Sequence, residues 1–80
     1  MKNNKFIGKF VVPLRDLNKN MDLHFIKKDE LCIITYQSSE KDPTFTIKSL
    51  RSKNTSSGII MNVHVKIVQG NLKTLKILYT

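Results

Sequence analysis

Cys32, His24 and His64 are the residue types from which a metal site or a thiol–imidazole pair is built. Zinc binding and nucleophilic cysteine chemistry both need such side chains to converge, and short fixed spacings are the usual sign in a sequence. Here they stand far apart at positions 24, 32 and 64, so no metal or other cofactor is expected. Two carboxylate pairs, Asp29-Glu30 and Glu40/Asp42, have the composition of a general acid–base pair. Both fall in polar, turn-like stretches and read as ordinary solvated acids. The glycines, Gly8, Gly58 and Gly70, are scattered, so there is no glycine-rich phosphate loop. The residues therefore point to a non-catalytic protein.

Composition narrows the class. Eighty residues, 40% of them hydrophobic, make one small domain. A lone cysteine forms no internal disulfide and fits a reducing, cytoplasmic setting. No apolar run reaches the ~18 residues of a membrane helix, and no long apolar region follows the charges of Met1-Lys2-Asn3-Asn4-Lys5, so no signal peptide is expected. The net charge is +8, yet five of the six acids lie between residues 21 and 43. From residue 44 onward the chain carries Lys48, Arg51, Lys53, Lys66, Lys73 and Lys76 with no acid. Such asymmetry predicts an acidic face on a basic body.

The elements that must position these groups read as strands. Apolar spacing is mostly two, and β-branched residues are frequent. The first strand is expected over residues 6–12, with Phe10 and Val12 inward and Pro13 at its end. Residues 15–21 form a loop. Leu23 and Phe25 then share a face, as do Leu31, Ile33 and Thr35 in the next strand. A polar loop spans Gln37 to Pro43, and Phe45 and Ile47 face inward after it. Arg51 to Ser57 is a hairpin tip, and Val63, Val65 and Ile67 alternate in the strand beyond. Gly70-Asn71 reads as a second hairpin turn, leading to a last strand over Leu72–Tyr79.

With these elements in place, one stretch resembles a known family. Asp22-Leu23-His24-Phe25 is similar to the acidic-Leu-Ser-Phe element of Src homology 3 domains. Lys27-Lys28-Asp29-Glu30-Leu31 resembles that family's diverging turn, with Lys28 in place of glycine. Gly58-Ile59-Ile60-Met61-Asn62-Val63-His64-Val65 is similar in length and core positions to its closing motif. The resemblance implies an all-β fold: a small barrel of five or six short antiparallel strands over residues 9–68. It would be preceded by an N-terminal arm, 1–8, and followed by an extension strand within 69–80.

The resemblance also implies a binding role, with an altered ligand. The family binds polyproline helices in aromatic grooves. Its first-strand tyrosines are replaced here by Pro13, Leu14, Arg15 or Asp16, its proline by Met61 and its last tyrosine by His64. If Ile47 is core, Phe45 is too, leaving Thr44 or Thr46 on the binding face. The ligand-binding set implied is Asp22, Glu40, Asp42, Met61 and His64, with Asp22 pairing to a basic ligand group. The resulting expectation is a protein–protein interaction module of signalling or cytoskeletal assemblies, with a protein or peptide ligand outside the standard proline-rich kind. Two alternatives stand beside it: a basic barrel binding nucleic acid or an anionic membrane surface, with Tyr36 and Tyr79 as stacking candidates, and a small phage- or plasmid-encoded inhibitor.

Overall fold

The computed structural model describes residues 5–18, 25–50 and 56–79. Five antiparallel strands form one sheet: β1 (Phe10–Pro13), β2 (Cys32–Gln37), β3 (Thr44–Ser49), β4 (Ser57–Met61) and β5 (Val65–Val68). Their spatial order is β4-β3-β2-β1-β5. A 3-10 turn, Asn62–His64, links the two edge strands, and a helix, α1 (Leu72–Tyr79), follows. This mostly-β architecture is consistent with the small Src homology 3-like fold.

The expected extension strand is a helix. Leu72, Leu75 and Tyr79 recur at i, i+3 and i+7, the spacing of one helical face. Asn71 caps it: its Oδ1 accepts from the Thr74 N–H at 2.9 Å, the bond expected of an N-cap side chain. Gly70-Asn71 is thus a helix start, not a hairpin turn. Gly70 has φ 139°, a backbone region that side-chain-bearing residues avoid.

The helix explains a second difference. One core cluster holds Val11, Ile26, Cys32, Ile34, Phe45, Ile47 and Ile60. A second holds Val12, Leu31, Val68 and Leu75, with Phe10, Leu50 and Tyr79 packed against it. In β1, Phe10 and Val12 do share a face, but it is the one under α1, and Val11 points to the larger core. In β2 the inward residues are Cys32 and Ile34; Ile33 is half-buried and Thr35 exposed. Ile26, fully buried, takes the inward role expected of Phe25. Alternation reads a sheet with one solvated face; cover on both faces leaves apolar residues at either parity. The chain from Gly58 to Ile67 is also broken by the 3-10 turn, which leaves Val63 exposed. The first strand begins at Phe10, because residues 5–8 turn back: the Gly8 N–H bonds the Ile34 carbonyl at 2.8 Å, and Phe6 stacks at a tilt on Phe45.

Glu30 is not a solvated acid. It is buried at the turn after Ile26, where its Oε1 accepts from the Lys27 N–H at 3.0 Å and its Oε2 accepts from the Ser49 hydroxyl at the end of β3. Asp29, at φ 67°, donates its N–H to the Pro13 carbonyl. Removing the Glu30 carboxylate with Glu30→Ala is expected to cost at least about 1.5–3 kcal/mol, the range for one hydrogen bond to a charged group. A double-mutant cycle with Ser49→Ala in urea melts measures the coupling; simple additivity would refute it. Leu75→Ala is expected to cost about 2–5 kcal/mol, because α1 is part of the core; an unchanged midpoint would show the helix to be an ornament.

Candidate functional site

The loop after β1 folds against β4 and the 3-10 turn, and a groove opens between them. Four backbone ties hold this framework. The Leu14 N–H donates to the His64 carbonyl at 2.7 Å, and Leu17 and Ile26 exchange bonds of 2.8 and 3.1 Å. The Asn62 N–H donates to the Pro43 carbonyl at 3.0 Å. Asp16 Oδ1 accepts from the Lys28 N–H at 2.8 Å, tying the loop to the turn at Glu30. Gly58 sets how near the loop comes: a Cβ there would lie 3.2 Å from Asn18 Nδ2 and 3.5 Å from Leu17 Cδ1.

The groove encloses about 240 Å³ and is lined by Arg15, Leu17, Ile59, Ile60, Met61 and His64. Its rim is unusually apolar. Ile59 is 70% exposed, Met61 55%, and Val63, beside them on the 3-10 turn, 61%. Single exposed apolar residues are ordinary; here two large ones, Ile59 and Met61, line one concavity, and a third, Val63, follows on the adjoining turn. Ile59 and Met61 stand on the outward face of β4, opposite Thr46 and Thr44 of β3. Tyr36, 57% exposed, pairs with Thr46 and continues that row onto β2, where a bulge turns both Thr35 and Tyr36 outward.

Of the residues expected at a site, Met61 and His64 come together in this groove. Glu40 and Asp42 are exposed in the β2–β3 loop and do not line it. Asp22 and His24 lie outside the described residues. Phe45 is buried, so the outward positions on β3 are Thr44 and Thr46. Arg15, Leu17 and Ile59 also line the groove. Alternation with the buried Ile60 was the available sign for Ile59; the fold-back of the loop that brings Arg15 and Leu17 has no local signal.

Among the described residues no three His, Cys, Asp or Glu side chains converge as metal ligands, and no helix is long and apolar enough to cross a membrane. Cys32 lies in the larger core and donates its S–H to the Glu30 carbonyl at 3.4 Å. Burial, and after it the charge of Glu30, pushes its thiol up to about 12 from an ordinary 9.0. Comparison with family models, curated proteins and solved structures finds no match to this chain.

A thiol kept protonated by the fold supports it fully below its unfolded pKa near 9.0, and that support is lost as pH rises towards about 12. Cys32→Ala is therefore expected to flatten part of the alkaline loss of stability, read by urea melts across that window. Native protein at pH 8 is expected to resist a disulfide thiol reagent until denaturant is added; rapid labelling of the native state would contradict the burial argument.

Proposed function

We propose that the protein is a non-catalytic protein-interaction module on a degenerate Src homology 3-like frame, docking an atypical ligand in the groove between the β1 loop and β4. The observation that carries this reading is the pair Ile59 and Met61, left exposed in the lining of a concavity whose walls are tied by backbone hydrogen bonds, with the exposed Val63 on the adjoining turn. An apolar surface costs free energy while it faces water, and burial against a partner recovers about 25 cal/mol per Å². Among the described residues the groove has no Phe, Tyr or Trp in its lining, so they offer no flat ridges on which proline rings pack. The ligand is thus not a standard proline-rich helix. A role in signalling or cytoskeletal assembly follows from the family resemblance alone.

A second reading has one observation behind it. Tyr36 and Lys48 both face outward from the sheet, the elements of a stacking, phosphate-contacting surface. Nucleic acid bound there would show affinity falling steeply with salt.

Peptide display against the immobilised protein tests the first reading. Selected peptides are expected to lose at least tenfold in affinity with Ile59→Ser or Met61→Ser, while the melting temperature moves by only a few degrees, as for surface substitutions generally. Peptides whose binding survives both substitutions would place the interface elsewhere. Recovery of ordinary proline-rich sequences at micromolar affinity would show the ligand to be the standard one.

A further inference from the structure

Among the described residues, the groove lining carries charge opposite to the one its family resemblance implies. Among the described residues, Arg15 and His64 are its titratable lining residues, and Lys48 is the charged residue on the outward face of β3, one rung beyond Thr46 and Ile59. The described carboxylates are disposed elsewhere. Asp16 is turned to the Lys28 N–H, Glu30 is buried against Ser49, and Asp29 sits on the turn between them. Glu40 and Asp42 belong to the loop that ends at Pro43. That loop meets the 3-10 turn at Asn62, whereas the β1 loop meets it at His64. The acids therefore flank one end of the turn and Arg15 the other.

Resting on the reading that this groove docks a protein segment, the geometry points to a particular chemistry for the segment: acidic and aliphatic. Its carboxylates meet Arg15 and Lys48, and its branched or long aliphatic side chains lie on Ile59, Met61 and Leu17. Complementary charge steers and orients such a segment, and the apolar contacts hold it. The chain's net charge of +8 adds long-range attraction for an acidic partner. A protein segment fits better than nucleic acid. The exposed rim is aliphatic, with Tyr36 the single aromatic of the row, while strand-binding surfaces use repeated aromatics and a track of cations.

The test uses the full chain and two fluorescent peptides of about ten residues, one alternating Glu and Leu, its twin alternating Lys and Leu. The Glu–Leu peptide is expected to bind at least tenfold tighter than the twin. Arg15→Glu should weaken it about fivefold or more, and Ile59→Ser about tenfold. Glu40→Gln with Asp42→Asn should leave affinity unchanged or raise it up to about threefold; Asn keeps the left-handed backbone at position 42, φ 47°. A loss of affinity in that double variant, or stronger binding of the Lys–Leu twin, overturns the polarity. If the twin's binding is lost with Ile59→Ser, the groove stands and only its polarity falls. If the Glu–Leu peptide binds and ignores both Arg15→Glu and Ile59→Ser, the groove itself is wrong. Tighter binding of a single-stranded oligonucleotide or of anionic vesicles, insensitive to Ile59→Ser, also overturns the proposal and assigns the surface to those ligands.

Discussion

A carboxylate buried at a turn is expensive, and at Glu30 the rest of the fold is arranged around that expense. Taking a charge out of water costs several kcal/mol unless good donors replace the solvent. Here a backbone N–H of the same turn and the hydroxyl of Ser49, far along the chain, supply them. The bond to Ser49 joins the turn at residues 27–30 to the far end of β3. The Leu50 N–H to Leu31 carbonyl bond runs beside it. From this anchor the chain enters β2 in one direction, and in the other it reaches Ile26, which is paired to Leu17 of the β1 loop. The position of the loop over β4, and hence the groove, depends on that junction being fixed.

The same junction shows how far residue types alone carry a reading of this chain. Strands over 32–37 and 44–49 and the turn at 27–30 are legible because β-branched residues, polar loops and turn formers are local signals. The side each strand buries is not. Leu31 and Ile33 look like one inward face, yet Leu31 lies under α1 and Ile33 is half-buried, because both faces of β1 and the start of β2 are covered. What covers the second face is α1, whose Leu72, Leu75 and Tyr79 carry the helical period. Its shortness and its β-branched neighbours made it look like a strand. Glu30 looks like an ordinary surface acid for a related reason: its partner Ser49 is distant in sequence, so nothing local separates it from Asp29.

The candidate site divides along the same line. Met61 and His64 were legible through the closing motif they resemble, since strand and 3-10 turn are contiguous in the chain. Arg15 and Leu17 reach the groove through the loop's tertiary ties, among them those to His64, Ile26 and Ser57. Glu40 and Asp42 were expected at the pocket from the family's loop; here their loop reaches only the Asn62 end of the 3-10 turn.

A physical division of labour follows for the groove. The residues that hold its shape do so largely through backbone bonds and through buried groups such as Ile60, Ile26 and Glu30. The residues that offer contact, Ile59, Met61, Val63 and Arg15, are exposed and add little to the core. Core packing and exposed apolar surface therefore rest on different side chains, and in β4 they alternate: Ile60 inward, Ile59 and Met61 outward. An apolar outward face on an edge strand is an aggregation hazard in an otherwise small domain. The net charge of +8 opposes that hazard, because repulsion between copies of the chain discourages self-association.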